Sequence, residues 1–223
     1  MTIVKPYAEV PEINGVELMK NIEKAGRTCY KSEVQSEDSY KRFINSIISR
    51  GHESVLEHEK VTVRFVADRG TMWDITRHRH ASFSIESSRW CNYGKEGFGK
   101  EIKIIEPFFL VNDKEKYSIW ENAMKAAEEA YMKLIDMGCP PDYARMTVPA
   151  SLATEIVMTA NIREWRHIFN LRCAKPVHPH VKQVMIALLL HFKKVMPELF
   201  EDIPYDEEFY AQYKDELAKI NVI

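Results

Sequence analysis

The chain has 223 residues, enough to bury one sizeable core and short for two independent units, so the sequence predicts a single domain over residues 1–223. Hydrophobic residues at 45% and charged residues at 29% are globular values that exclude a disordered or fibrous chain. The formal net charge of −2 gives no global attraction to nucleic acid or membranes, so any anion site must be built locally.

Nothing in the sequence predicts a membrane span, a secretory signal or a metal site. The longest apolar run, 184–190, is far below the roughly 20 residues that cross a bilayer. Residues 1–12 lack a basic segment followed by an apolar core, so we expect a cytoplasmic protein. The cysteines form no CxxC pair and no zinc-type spacing, which predicts reduced thiols without a metal; they are Cys29, Cys91, Cys139 and Cys173.

The first third of the chain is predicted to be helical and then to enter a strand. Helices are expected over 15–25 and 36–50, with Gly51 as a left-handed stop. Alternation of apolar and polar residues over 60–68 predicts a half-buried strand. A short helix over 71–78 should follow.

Turn signals and periodicity divide the remainder into further elements. Two extended segments, 89–93 and 101–105, are predicted on either side of the glycine-rich loop 94–99. A long amphipathic helix should run from Asn112 or Asp113 to Met137 and end at Gly138. The elements predicted after it are a short helix through Arg145, a β-like run 155–159, helices 163–171 and 179–195, and a peripheral helix within 205–217.

The densest polar cluster lies at 77–89, where three arginines and several serines fall within 13 residues. Guanidinium forks together with hydroxyl and backbone N–H donors make a candidate phosphate site. A solvated basic turn is the alternative. A zinc site using His78 and His80 is disfavoured because the flanking arginines repel a cation.

A second cluster, 161–172, forms an amphipathic pattern if it is helical. Trp165, Ile168 and Phe169 then share an apolar face, which Arg172 extends. A guanidinium there is costly to bury unpaired, so Arg172 should meet either an internal carboxylate or a bound ligand. The polar side would hold Arg163, Arg166, His167 and Asn170.

A recognisable signature joins these clusters. Arg77-His78-Arg79, followed after seven residues by Ser87, resembles the signature of flavin-dependent thymidylate synthases. The blocks 52–58, 143–149 and 161–172 resemble that family's other blocks in the same order, so the resemblance covers roughly 51–183. It implies an α+β fold, a single domain with a central, mostly antiparallel β-sheet flanked by helices, and a homotetramer whose active sites form where subunits meet.

The resemblance also implies an activity. The family converts dUMP to dTMP, with methylenetetrahydrofolate as carbon donor and NADPH-reduced FAD as hydride source. The residues it assigns to FAD are His52, Ser54, Glu57, Arg77, His78, Arg79, Asn161, Arg163 and His167. Those it assigns to dUMP are Asp74, Ser87, Arg89, Arg145 and Arg172, and those with an expected catalytic role are Arg172, His52 and Ser87.

The sequence departs from the family pattern at four positions. Asp74 stands where Gln is frequent, Trp90 where Tyr is frequent, and His167 and His180 where amides are common. The departures at Asp74 and Trp90 keep a related flavin-dependent methylase of UMP or another pyrimidine nucleotide in consideration. A nucleic-acid-binding module is disfavoured because the chain has no continuous basic stripe. No cysteine stands in the Pro-Cys-His context of conventional thymidylate synthases, so a cysteine nucleophile is not expected.

Overall fold

A computed structural model describes residues 1–223, and helices and strands are mixed along the chain. The strands are β1 (Thr2–Val4), β2 (Tyr7–Val10), β3 (Lys60–Asp68), β4 (Ala81–Ile85), β5 (Lys103–Ile105), β6 (Ala153–Asn161) and β7 (Lys219–Val222). The helices are α1 (Gly15–Arg27), α2 (Ser39–Ser49), α3 (Arg69–Ile75), α4 (Lys114–Asp136), α5 (Pro141–Ala144), α6 (Ile162–Arg172), α7 (Pro179–Val195), α8 (Pro197–Phe200) and α9 (Glu207–Tyr213).

Five strands form the central sheet, in the order β4-β6-β3-β2-β7, and the sheet is mostly antiparallel. The alternation that predicted β3 is present in its burial, since Val61, Val63 and Phe65 are buried whereas Thr62 is exposed. β1 and β5 form a separate parallel pair. The predicted fold class, a mostly antiparallel central sheet flanked by helices, is therefore confirmed.

The chain divides into two compact units. The first comprises 1–7, 65–77 and 84–156, and the second comprises 8–64, 78–83 and 157–223. The assignment of 1–223 to one domain stays a prediction.

In the first unit, α4 supplies the centre of an apolar cluster. Asp113 begins this helix by accepting a hydrogen bond from the Lys116 N–H at 3.1 Å, and Gly138 follows its end with φ of 82°. Tyr131 is fully buried against the cluster that includes Ile102 and Leu152. The predicted helix and both of its end signals are therefore present.

In the second unit, α6 buries the apolar face that the sequence predicts. Its first turn is capped by Asn161, whose Oδ1 accepts from the Glu164 N–H at 2.8 Å. Trp165 stacks on Phe169 with ring centroids 5.6 Å apart, and its indole N–H donates to the Val61 carbonyl at 3.1 Å. Full burial of side chains of this size stabilises the unit by about 1.5–3 kcal/mol each.

Several predicted elements are wrong or misplaced. Residues 89–93 are not extended, because the Ser87 carbonyl accepts from the N–H groups of Trp90 and Cys91 and closes a turn; the strand of this region is β4. The first quarter is not wholly helical, since β1 and β2 precede α1. β7 lies beyond the predicted helical segment 205–217, in a part of the chain for which no element was predicted. These strands have only three to five residues, so any alternation along them is too short to identify them securely from sequence.

Helix boundaries are predicted unevenly. The observed α7 has both of its predicted ends, with Pro179 at the first turn. α2 begins at Ser39 rather than at 36. The helix predicted over 71–78 begins earlier, because Asp68 accepts from the Thr71 N–H and caps it. None of the helices combines the length and apolar character that a membrane span requires.

Candidate functional site

The second unit contains a polar cavity of about 630 Å³ beside the N-terminal half of α6. Four residues that the sequence analysis assigns to a cofactor lie in its wall: Glu57, Asn161, Arg163 and His167. Helical periodicity brings Arg163, His167 and Asn170 to this wall while the opposite face of α6 packs into the core. The other lining residues are Glu53, His80, Glu164 and Arg166.

An ion pair lies at the mouth of the cavity. Arg163 Nη1 is 2.6 Å from Glu57 Oε1, and both side chains are about half exposed, at 50% and 47%. Exposed pairs of this kind contribute only about 0–1 kcal/mol. Arg163 can therefore exchange the carboxylate for another anion at little cost to folding.

The buried arginine of α6 is Arg166, which lines the cavity together with Arg163, His167 and Asn170. It forms a bidentate pair with Asp202 at 2.8 and 2.7 Å, contacts Glu53 at 3.4 Å, and donates to the Leu199 carbonyl. Burial alone would lower the Arg166 pKa, but hydrogen bonding to Asp202 raises it above its ordinary value. The sequence did not reveal the partner of Arg166, because Asp202 is distant in sequence and carries no motif.

Arg172 at the end of α6 contacts the histidine of the Arg77-His78-Arg79 motif. Its Nε donates a hydrogen bond of 2.9 Å to His78 Nε2. His78 is only 5% exposed, and its Nδ1 lies 3.5 Å from Oε1 of Glu164. The sequence analysis expected either an internal carboxylate or a bound ligand beside Arg172. The structure shows that the imidazole of His78 is a partner of Arg172. Two motifs 94 residues apart thus meet in one unit.

Glu164 is a site residue that sequence reasoning missed. His78, Glu164 and His167 each offer an atom within 4.8 Å of the others, a spacing that could hold a metal ion. One imidazole nitrogen of His78 is already used by Arg172, and the guanidinium charge opposes a cation there. The absence of a metal stays a prediction.

The first unit brings two other predicted arginines together at Asp142. Arg89 Nε is 3.6 Å from the Asp142 carboxylate, and Arg145 Nε donates to the Asp142 carbonyl at 3.2 Å. The Arg89 guanidinium also lies over the exposed Trp90 ring, 5.3 Å from its centroid. Trp90, one of the departures from the family pattern, therefore helps to orient an arginine in an exposed basic cluster.

Ser87 follows an anchored glutamate in the same unit. The Tyr93 hydroxyl donates to Glu86 Oε1 at 2.7 Å, and the Glu155 N–H donates to Glu86 Oε2 at 3.3 Å. Burial and the adjacent carboxylate raise the pKa of Tyr93, which keeps its hydroxyl protonated as a donor. Ser87 itself is exposed at the start of the turn. Glu86 and Tyr93 carry no motif that would have identified them.

The remaining predicted residues lie outside the cavity wall. His52 precedes a short 3₁₀ segment, Glu53–His58, in which Ser54 is exposed. Arg77 and Arg79 flank the buried His78 and are both exposed. Asp74 lies in α3. Their binding and catalytic roles stay predictions.

Comparison with known proteins identifies relatives over most of the chain. The family model described as thymidylate synthase complementing protein matches residues 16–198. A flavin-dependent thymidylate synthase of Geobacter sulfurreducens is 32% identical over 186 residues, 80% of this chain and 78% of that protein. A probable flavin-dependent thymidylate synthase of Mycobacterium phage D29 is 30% identical over 198 residues, 84% of each chain.

A solved structure has the same fold. The UMP/dUMP methylase PolB from Streptomyces cacaoi, bound with 5-Br dUMP, superposes with a TM-score of 0.76 at 20% sequence identity. The match covers 95% of this chain and 97% of PolB.

Proposed function

Because this chain belongs to the flavin-dependent thymidylate synthase family and is an enzyme of that type, we propose that it methylates dUMP to dTMP with methylenetetrahydrofolate as carbon donor and NADPH as reductant of FAD. The observation that carries the proposal is the contact between Arg172 and His78, which joins the expected pyrimidine-binding residue to the flavin signature. We place this reaction in the cytoplasm and in a homotetramer with active sites at subunit interfaces.

The donors and acceptors of the second unit fit FAD chemically. Arg163 and Arg79 are suited to a pyrophosphate, His167 and Asn161 to ring nitrogens and carbonyls, and the Glu57 carboxylate to hydroxyls. The other proposed FAD contacts are His52, Ser54, Arg77 and His78. When bound, the reduced flavin supplies the hydride, so no protein nucleophile is needed.

The exposed cluster of the first unit fits a nucleotide phosphate. Arg89 and Arg145 provide two guanidiniums held near Asp142, and the Ser87 hydroxyl adds a donor. Asp74 is the further proposed substrate contact. Arg172 would grip the uracil carbonyls and stabilise the negative charge that develops when the ring is activated at carbon 5.

The test is a spectroscopic and product assay on the purified protein. We expect flavin absorbance that bleaches with NADPH in the presence of dUMP, and dTMP formation that requires methylenetetrahydrofolate. A protein that cannot be loaded with FAD would refute the proposal. Running UMP in parallel separates the second candidate, which the Asp74 and Trp90 departures support: faster methylation of UMP than of dUMP would make it the correct one.

A further inference from the structure

We propose that Glu164 is a positioning residue for Arg172 and that it acts through His78, by fixing which imidazole nitrogen carries the proton. This inference rests on the proposed function, since it explains how the pyrimidine-binding guanidinium is oriented. It gives a role to the buried carboxylate of Glu164, whose position beside His78 is explained neither by the family signature nor by its place in the cavity wall.

The tautomer of His78 follows from its contacts with Arg172 and Glu164. Arg172 Nε is always a donor, because a guanidinium has no acceptor and stays protonated. His78 Nε2 receives that hydrogen bond at 2.9 Å, so this nitrogen must carry a lone pair. In a neutral imidazole the proton is then on Nδ1, the nitrogen that faces Glu164 Oε1 at 3.5 Å.

Glu164 favours that tautomer electrostatically. Its side chain is 9% exposed, so its charge acts on the neighbouring Nδ1–H with little screening by water. The opposite tautomer would direct a lone pair at the carboxylate and an N–H at the Arg172 N–H. Both contacts would be repulsive, so the three side chains admit one favourable arrangement.

A purely local role for Glu164 does not account for the geometry. Glu164 is three residues after Asn161, the position from which a glutamate can reach back to the N–H of the capping residue. Here the Glu164 backbone N–H binds Asn161, whereas the carboxylate is directed at His78. The side chain therefore connects α6 to the Arg77-His78-Arg79 segment.

Fixing Nε fixes the plane of the guanidinium. Nε belongs to the planar group, so a hydrogen bond at Nε restricts rotation about the last side-chain bonds of Arg172. A planar fork binds a pair of carbonyls only when its plane is correct. Loss of the Glu164 charge should therefore weaken pyrimidine binding, although Glu164 does not touch the pyrimidine in this proposal.

A double-mutant cycle tests the inference, with dUMP affinity measured by flavin absorbance on the oxidised, FAD-loaded protein. The variants are Glu164→Gln, Arg172→Lys and the combination. We expect Glu164→Gln to weaken dUMP binding about tenfold in the wild-type background and less than about twofold in the Arg172→Lys background, because residues acting through one another are not additive. Glu23→Gln is the matched control, since Glu23 is 1% exposed and pairs with Arg27 away from the cavity.

The outcomes separate this inference from the proposed function. If the wild-type protein binds neither FAD nor dUMP, the proposed function fails. If the wild-type protein binds FAD and dUMP, two results refute only the role of Glu164. One is a dUMP affinity of Glu164→Gln equal to that of Glu23→Gln, and the other is an equal loss of dUMP affinity from Glu164→Gln in the wild-type and Arg172→Lys backgrounds. A wild-type dUMP affinity that is lost with EDTA and restored by Zn²⁺ would also overturn it, because a metal on His78, Glu164 and His167 would then replace the hydrogen-bonded arrangement.

Discussion

Arg166 and Arg172 lie six residues apart on α6 and have different partners. Arg166 is buried and is neutralised by Asp202, whereas Arg172 is half-buried and donates to a histidine. The sequence pattern identified Arg172 as an arginine that needs a partner but placed Arg166 only on the polar side of the helix. The distinction depends on Asp202 and His78, which are distant in sequence from their arginine partners. Helical periodicity within α6 cannot predict such contacts.

Arg172→Lys should leave the protein folded and loaded with FAD but should lower kcat/KM for dUMP at least about 100-fold, because Lys keeps the charge and loses the planar fork. Steady-state kinetics with dUMP and the FAD content of the purified variant are the measurements. Lys175→Arg, on an exposed ion pair with Glu208, is a control that should behave as wild type. Unchanged dUMP kinetics in Arg172→Lys would show that Arg172 is only structural.

A variant with all four cysteines replaced by Ala or Ser should still convert dUMP to dTMP. Burial raises the pKa of the Cys173 thiol and of Cys91, so both are protonated and poor nucleophiles at neutral pH. Replacing the fully buried Cys173 should cost about 1 kcal/mol of stability through lost packing. Activity is therefore measured on folded, FAD-loaded protein. Loss of turnover with intact flavin and dUMP binding would assign the chemistry to a cysteine.

At the scale of elements, long segments with clear end signals were predictable and short strands were not. α4 has an aspartate cap and is followed by Gly138 and the Pro140-Pro141 pair, and α7 begins with Pro179, so local chemistry sets their ends. β4 has only five residues, none of them fully buried, so any alternation of apolar and polar side chains along it is too short to identify it securely from sequence. Such strands are specified by their partners in the sheet, which single-sequence patterns do not contain.

The loop that carries Asp202 should be stabilised in a pH-dependent way. Hydrogen bonding to Arg166 lowers the pKa of Asp202, so its contribution is complete above the unfolded pKa of about 3.9 and is lost as pH falls through the lower folded value. Asp202→Asn should cost about 1–2 kcal/mol at pH 7, because it leaves buried Arg166 less well paired while Asp202 itself is half exposed.

Urea unfolding from pH 7 down to pH 3 measures this contribution. The stabilities of wild type and Asp202→Asn should begin to converge as pH falls below about 4, where the unfolded carboxylate takes up its proton, and should become equal only below the lower pKa of the folded wild-type carboxylate. Glu208→Gln, which removes an exposed pair, provides a comparison with little change at any pH. A constant difference between wild type and Asp202→Asn over the whole range would contradict the assignment.

At the scale of the whole molecule, the predicted residues fall in both compact units. Arg163 and His167 belong to the second unit, and Ser87, Arg89 and Arg145 to the first. The signature motifs identified these residues without three-dimensional information. Which chain supplies each set to a given active site in the proposed homotetramer depends on assembly, a property that no local pattern encodes.

Hybrid assembly tests whether active sites are shared between chains. Arg163→Ala and Arg145→Ala should each inactivate the homotetramer, the first through FAD and the second through dUMP. If a site combines the FAD residues of one chain with the dUMP residues of another, random co-assembly of the two variants should restore about one quarter of the sites. Activity of the coexpressed mixture is the measurement. No recovery in verified hybrids would place both halves of each site in one chain.

The Arg163–Glu57 pair makes Glu57 an intramolecular competitor for any anion that enters the cavity. A tethered carboxylate acts at a high effective concentration, so an incoming phosphate competes with Glu57 for the Nη1 donor of Arg163 and takes that donor by displacing the carboxylate. The displaced Glu57 then becomes free to accept hydrogen bonds from hydroxyls of the same ligand. Ligand binding would thus exchange one partner of Arg163 for another. Free inorganic phosphate, which offers no hydroxyl-rich chain to Glu57, would bind more weakly than a ligand that carries both a phosphate and hydroxyl groups.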